Sequence, residues 1–120
     1  VSLRTVRFYR KANGECPVEA FLEGLPAKSA AKVVAVLKLV EQQPTLSNRF
    51  LRKLKGTELF EVRVLASKQA YRFPCFFAGD TLVVLTHGFD KKTQKTPKAE
   101  IRRAEEYRED YLRRQKHGRP

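Results

Sequence analysis

Lysines are concentrated in the stretch GFDKKTQKTPKAE, residues 88–100, at a turn that the sequence predicts to open a helix. Lys91, Lys92, Lys95 and Lys98 all lie within it. Each ammonium group is a compact point charge that can bind an oxyanion. So much positive charge at one structured corner predicts an anionic partner, which can be a nucleic acid, an acidic protein or an anionic lipid surface.

Further basic and aromatic side chains flank three predicted strands. In chain order they are Arg52, Lys53, Lys55, Arg63, Tyr71, Arg72 and His87. If the three strands are neighbours in one sheet, these groups can converge on one concave face with the lysines of the later turn. Two plainer explanations stay open: the lysines can be solvated surface residues, and Arg63 can form a structural ion pair with Glu61.

The charge of the chain is strongly basic and unevenly distributed. The 120 residues carry a formal net charge of +12 and a sequence pI of about 10.1. Residues 91–120 hold 11 basic and 5 acidic side chains, whereas residues 61–90 hold 3 of each. An apolar content of 42% argues against disorder, and no apolar run is long enough to span a membrane. We expect a cytoplasmic protein without a signal peptide, because the N-terminus leads directly into a strand pattern.

Metal and cofactor chemistry finds no support in the sequence. His87 and His117 have no ligand partners at a useful spacing, and there is no Cys-x-x-Cys motif and no glycine-rich phosphate loop. The sequence therefore predicts neither a metal site nor a cofactor. Cys16 and Cys75 are predicted to be reduced thiols.

Helical spacing marks three segments. A short helix is predicted over residues 17–23 and a longer one over residues 26–43, each opened by a proline, so that the two form a helical hairpin. A third helix is predicted over residues 97–114 with Thr96 as its N-cap. Residues 115–120 are predicted to be a loose tail.

Strand patterns mark four further segments, residues 3–10, 58–66, 71–77 and 81–87. The last is almost entirely apolar and is predicted to be the most buried. Pro74 removes one backbone donor, which predicts a bulge or an edge at that position.

The order of these elements predicts the fold class. Helices cluster early and strands run together, as is typical of an α+β fold with an antiparallel sheet of three to four strands. With no repeat and no linker in the sequence, we predict a single domain over residues 1–120.

The motifs LKGTELFEVRV, YRFPCFF and LTHGFDKKTQKTPKAEI occur in this order. Together they resemble the HigB-like, phage-derived branch of the RelE/ParE toxin superfamily, whose members share a leucine-x-glycine, a Glu-x-Arg strand, a Tyr-Arg strand and a lysine–threonine–proline run into a final helix. The matching residues are Leu54, Gly56, Glu61, Arg63, Tyr71, Arg72 and Gly88 through Pro97. The resemblance extends from about residue 6 to residue 112 and includes the helix PVEAFLEGLP.

This resemblance implies a RelE-like fold and a metal-independent endoribonuclease that cuts messenger RNA, usually on the ribosome. In the mechanism it implies, the 2′-hydroxyl of the substrate attacks the adjacent phosphate. Such a reaction needs activation of the 2′-OH, stabilisation of a highly negative phosphorus centre and protonation of the departing 5′-oxygen. A basic cluster would serve where other nucleases use histidines.

Roles for individual residues follow from the same resemblance. Arg63 and Arg72 would stabilise charge on the phosphate. Lys91 and Lys92 would act at the phosphate or as acid–base groups, if neighbouring cations lower a lysine pKa. The residues that would hold the RNA backbone are Lys53, Lys55 and Lys95.

Two residues keep alternative roles. Tyr71 would stack a base or donate a proton, and a core tyrosine is an equally good explanation. His87 would act as an acid–base group only if its ring faces the cluster.

The resemblance also implies partners. These are messenger RNA, the ribosome and a cognate antitoxin with an acidic segment and a helix-turn-helix, through which the complex would contact operator DNA; no membrane is implied. Two other functions remain open at this point, a ParE-like inhibitor of DNA gyrase and a non-catalytic nucleic-acid-binding or regulatory protein.

Overall fold

The structure is a computed structural model that describes residues 3–45, 49–91 and 95–116. Its elements are β1 (Thr5–Phe8), α1 (Pro17–Glu23), α2 (Ala27–Gln42), β2 (Leu51–Lys53), β3 (Phe60–Ala66), β4 (Gln69–Ala78), β5 (Leu82–Leu85), β6 (Phe89–Asp90) and α3 (Lys98–Lys116).

The predicted α+β class is confirmed, with an N-terminal strand, a helical hairpin and a C-terminal helix. In the described residues one sheet has the strand order β1-β5-β4-β3-β2, and β6 also pairs with β4. The sheet has six strands instead of three or four, and it is mixed because β1 runs parallel to β5. β2 and β6 have only three and two residues, which is too short for a periodic signal. The place of β1 depends on a long-range pairing that periodicity does not specify.

Hydrophobic residues cover both faces of the sheet. On one face α1 and α2 bring Val18, Val33 and Val40 against the strands. On the other, α3 brings Ala104 and Tyr111 against a second group that includes residues of β4 and β5. The strand predicted over residues 81–87 is observed as β5, in which residues 83–85 are fully buried. Cys16 and Cys75 are buried free thiols.

Pro74 lies in the central strand β4, without the predicted bulge or edge. It stands opposite Glu61 in an unbroken register with β3. Its carbonyl oxygen accepts hydrogen bonds from the backbone N–H of Thr86 at 2.9 Å and from the Thr86 hydroxyl at 3.0 Å. This side of β4 lies between the end of β5 and the start of β6, so the missing proline N–H falls where regular pairing is already interrupted.

Gly88 lets the chain pass close to the core between β5 and β6. A Cβ atom at this position would lie 2.6 Å from ring carbons of both Phe21 and Phe73. The two rings are packed edge to face with centroids 5.7 Å apart, so neither can move away freely. Only glycine fits at this position.

The C-terminal helix α3 is tied to the N-terminal part of the chain. The Tyr9 ring stacks on Tyr107 with centroids 4.7 Å apart, and the Tyr9 hydroxyl donates a hydrogen bond of 2.6 Å to Asp110. The helix continues through residues 115 and 116, which were predicted to be loose, and the rest of the predicted tail lies outside the described residues. Basic residues in its last turn favour this extension through the helix dipole. Over the described ranges, no helix is long and apolar enough to cross a bilayer.

Candidate functional site

A cleft of about 340 Å³ opens between β2, β3 and the segment that precedes α3. One carboxylate, from Glu61, contributes to its wall. We call it the cationic cleft, because its other charged lining residues are Arg52, Lys53, Lys55, Lys91 and Lys95. The sequence-predicted RNA-binding residues Lys53, Lys55 and Lys95 are thus brought together with Lys91.

The short strand β2 and the turn after it form one side of the cleft. β2 is antiparallel to β3, with Arg52 opposite Glu61. The ammonium group of Lys53 contacts the carbonyl oxygen of Thr57 and lies 5.5 Å from the centroid of the Phe60 ring. Gly56 has a φ of +79° and supplies the left-handed backbone that the turn requires. The turn therefore holds Arg52, Lys53 and Lys55 at the rim.

Glu61 joins three segments of the chain beneath the lysines. It is 2% exposed. Its Oε1 lies 3.6 Å from Nη1 of Arg72, and its Oε2 accepts a hydrogen bond of 2.6 Å from the Thr96 hydroxyl. Thr96, predicted as the helix N-cap, thus uses its hydroxyl to attach the start of α3 to β3. A buried carboxylate needs such partners, and they leave Glu61 as a fixed part of the cleft floor.

Arg63 and Arg72 stand directly opposite each other on β3 and β4, so their side chains emerge from the same face of the sheet. Arg72 is 7% exposed, and its ion pair is with Glu61. A Glu–Arg pair therefore exists on this face, between Glu61 and Arg72. Both residues line a neighbouring depression beside the cationic cleft.

Lys91 lies on the same side of the sheet as the arginines. Its backbone N–H donates a hydrogen bond of 2.7 Å to the carbonyl oxygen of Ala70 on β4. Partial burial lowers the pKa of Lys91 from its ordinary value of 10.5, and the charges of Arg63 and Arg52 lower it further, while Glu61 opposes them. The cluster thus increases the neutral fraction of this amine.

Comparison with known proteins supplies the family. The family described as "Phage derived protein Gp49-like (DUF891)" matches residues 20–109. The chain belongs to this family. The Gp49-like proteins are toxin-like. No curated protein matches the chain.

In this Gp49-like chain Tyr71 lies away from the cationic cleft. It is 3% exposed and belongs to the hydrophobic core beneath α1 and α2, where its ring contacts Phe21 edge to face. Since successive side chains of a strand alternate between faces, the register that points Arg72 towards α3 turns Tyr71 to the opposite side.

His87 is also enclosed, on the face covered by α3. It is 3% exposed, with Nδ1 3.0 Å from the Thr86 hydroxyl and Nε2 3.0 Å from Oε1 of Glu100. Burial lowers the pKa of His87 from 6.5; Glu100 opposes this shift and Arg103 adds to it. With its proton on Nε2, the neutral imidazole donates to Glu100. Among the residues that line the cationic cleft, His87 does not occur.

Lys92, predicted as a catalytic residue, lies outside the described residues. The structure adds Arg52, Glu61 and Thr96 to the site. Arg52 had a signal in the basic run RKLKG, and Glu61 had one in the strand alternation that it shares with Arg63. Thr96 had none, because only the packing of α3 brings it to β3. No three His, Cys, Asp or Glu side chains of the described ranges are grouped so that they could hold a metal ion.

Proposed function

We propose that this Gp49-like chain is the toxin of a type II toxin–antitoxin pair and that it cleaves messenger RNA on the ribosome. The observation that carries the proposal is the cationic cleft, in which five cations surround a single carboxylate that Arg72 and Thr96 already engage. An excess of fixed positive charge suits a polyanionic strand. It also suits a reaction in which negative charge accumulates on phosphorus.

The reaction we propose is transfer of the phosphate to the 2′-oxygen of the preceding ribose. The 2′-O–P bond forms as the P–O5′ bond breaks, and the products are a 2′,3′-cyclic phosphate and a 5′-hydroxyl. A base takes the 2′ proton, and an acid returns a proton to the 5′-oxygen. The phosphorane between these steps is more negative than the diester, so preorganised cations bind it more strongly than the substrate.

Lys91 is the candidate base, because it combines a position in the cleft with a lowered pKa. Arg52 and Lys95 would stabilise the phosphorane from opposite parts of the rim. The residues Lys53 and Lys55 would bind the RNA backbone. Arg72 would act through Glu61 as a positioning residue, since it is buried beneath the cleft.

Expression of the chain in bacterial cells tests this function. We expect growth arrest with new messenger RNA ends that carry a 5′-hydroxyl, detected by ligation specific for that end. Lys91→Ala should abolish the new ends, whereas Lys38→Ala, on the exposed side of α2, should leave them unchanged. Growth arrest with intact messenger RNA and accumulated cleaved DNA–gyrase complexes would refute the ribonuclease and support a gyrase inhibitor.

We further propose an antitoxin that carries an acidic segment and a helix-turn-helix. A net charge of +12 favours a partner of opposite charge, and the helix-turn-helix would connect the complex to operator DNA. Expression of the chain together with the neighbouring small open reading frame should abolish the growth arrest and give a complex that binds operator DNA. Arrest that continues in the presence of every neighbouring small protein would contradict this partner.

A further inference from the structure

The lysine–threonine–proline run before α3 brings a threonine to the cationic cleft, and the proposed reaction gives this residue no role. Thr96 lines the cleft, and its hydroxyl donates a hydrogen bond of 2.6 Å to Oε2 of Glu61. A hydrogen bond to a charged acceptor is shorter and stronger than one between neutral groups. The contact therefore links two motifs of the sequence, the Glu-x-Arg strand and the run that leads into the last helix.

Local chemistry restricts the Thr96 side chain before it meets the carboxylate. Pro97 disfavours a helical backbone at the residue before it, and a β-branched side chain has few χ1 rotamers. The Pro97 carbonyl oxygen accepts hydrogen bonds from the backbone N–H of Glu100 at 3.0 Å and of Ile101 at 3.2 Å, so the first turn of α3 forms directly after the threonine. The hydroxyl thus loses little conformational freedom when it binds Glu61.

Glu61 is the negative charge that could neutralise Lys91. Among the described residues that line the cleft, it is the one carboxylate. Its Oε1 lies 3.6 Å from Nη1 of the buried Arg72, and its Oε2 accepts the Thr96 hydroxyl. In the described part of the chain it forms no ion pair with Lys91, although both residues line the cleft. Donors on both oxygens therefore hold the carboxylate in a position that does not neutralise the lysine.

The charge state of Lys91 depends on all the charged groups that share the cleft with it or act on its amine. These are Arg52, Lys53, Lys55, Glu61, Arg63 and Lys95. Burial lowers the pKa of Lys91, Glu61 opposes this shift, and the charges of Arg63 and Arg52 add to it. A closer approach of the carboxylate would raise this pKa and return the amine to its charged form.

We propose that Thr96 is a positioning residue, which holds the Glu61 carboxylate on Arg72 and so prevents it from forming an ion pair with Lys91. The threonine takes no part in bond making or in proton transfer. Its hydrogen bond keeps the amine able to accept the 2′ proton. This consequence for catalysis rests on the proposed function, since it takes Lys91 as the base. The position of the carboxylate does not depend on that function.

Titration of the Lys91 amine tests the proposal in the full chain without RNA. The pKa is followed by NMR through the carbon and nitrogen nuclei at the end of the side chain. Thr96→Val removes the hydroxyl and keeps the shape of the side chain, whereas Thr96→Ser keeps the hydroxyl. The matched control is Glu100→Ala, which releases the same turn of α3 from His87, where Oε1 lies 3.0 Å from Nε2. Glu100 is not among the charges that act on Lys91.

We expect the Lys91 pKa to rise in Thr96→Val, because the released carboxylate turns to the amine. It should keep its wild-type value in Thr96→Ser and in Glu100→Ala. The rise should disappear when Thr96→Val is combined with Glu61→Gln, since the amide carries no charge. An unchanged or lowered pKa in Thr96→Val would overturn the proposal. So would an equal rise in Glu100→Ala, because that result would assign the effect to looser packing of α3.

A measurement on the unsubstituted chain covers the case in which a variant does not fold. The Thr96 hydroxyl proton should exchange with water slowly enough to give an NMR signal, and this signal should show a coupling to the carboxyl carbon of Glu61. Exchange as fast as that of an exposed threonine would overturn the contact on which the positioning depends.

The rate of messenger RNA cleavage on ribosomes separates this proposal from the proposed nuclease. At neutral pH Thr96→Val should cut about tenfold more slowly, and its rate should recover as the pH rises. A rate that stays low at every pH would overturn the positioning role. If the wild type leaves messenger RNA intact while Lys91 titrates as expected, the nuclease is refuted and the positioning of Glu61 stands. Cleavage by Thr96→Val with the wild-type rate and pH dependence would refute the positioning alone.

Discussion

Arg72 pairs diagonally with Glu61 across two strands, although the register places it directly opposite Arg63. The side chains of the pair are 8% and 2% exposed. The Nη1–Oε1 distance of 3.6 Å is long for a hydrogen bond, so charge more than geometry holds the two together. The pair supports the cationic cleft from below, and Arg72 also lines the neighbouring depression.

Replacement of Glu61 by alanine should destabilise the fold strongly. The substitution leaves the Arg72 charge buried without its carboxylate, and breaking a buried pair in this way costs about 3–5 kcal/mol. Urea unfolding of the variant measures the loss. Glu58→Ala is the control, since Glu58 is exposed on the same approach to β3 and should change the free energy of unfolding by no more than about 0.5 kcal/mol.

A double-mutant cycle separates the pair from the loss of a single carboxylate. Combining Glu61→Leu with Arg72→Met should cost less than the sum of the two single substitutions, because each single variant leaves a buried charge behind. Additive losses would show that the two side chains do not stabilise each other. If Glu61→Ala and Glu58→Ala lowered the free energy of unfolding equally, Glu61 would be exposed to water and not buried in an ion pair.

The sequence predicted the elements well where local chemistry decides them. The first helix runs over residues 17–23 as predicted, because a proline opens it and Gly24 follows its end. The burial of β5 followed from its continuous apolar residues. Both signals depend only on residues close together in the chain.

The residues of the cationic cleft could be predicted only in part. The sequence does not fix the strand register, because the register depends on turn geometry. The β3–β4 hairpin turns through Ser67 and Lys68, which both have positive φ. These residues lack the Asn-Gly or Asp-Gly signal of such a turn. A slip of one residue would exchange the faces of Tyr71 and Arg72. Alternation alone therefore could not decide which of the two belongs to the site.

His87 should make the stability of the fold depend on pH. Its pKa in the folded chain lies below the unfolded value of 6.5, mainly because burial disfavours the imidazolium. As the pH falls below 6.5 the unfolded chain takes up a proton that folded His87 does not, so the free energy of unfolding decreases until the pH reaches the lowered pKa. Above pH 6.5 this contribution is constant and fully present.

Comparison of the wild type with His87→Gln isolates this effect, since glutamine keeps a polar side chain and does not titrate. Urea unfolding at a series of pH values should give a difference between the two proteins that changes between pH 6.5 and the lower pKa of His87. The slope should be no steeper than about 1.4 kcal/mol per pH unit, the limit for one proton. Parallel curves for the two proteins over the whole range would show that His87 keeps an ordinary pKa.

Lys91 should set the pH dependence of RNA cleavage. As a general base the amine must be neutral, so the cleavage rate should rise with pH and level off at the Lys91 pKa, which lies below 10.5. Lys91→Arg keeps the charge but cannot lose a proton, and it should lower the rate by about 10²–10⁴-fold. Nearly full activity of Lys91→Arg would restrict this residue to a purely electrostatic role.

The charge of Arg52 gives a sharper test of the same role, because it acts on Lys91 without replacing it. Its loss in Arg52→Gln removes a repulsion from the ammonium form, so the Lys91 pKa should rise and the ascending limb of the rate profile should move to higher pH. Lys38→Gln removes the same charge from the exposed side of α2 and should leave the limb in place. An equal shift in both variants would reflect the total charge of the protein. A shift in Arg52→Gln alone would identify Lys91 as the titrating base, because of the two lost charges only that of Arg52 acts on this amine. Weaker stabilisation of the phosphorane would lower the rate without moving the limb.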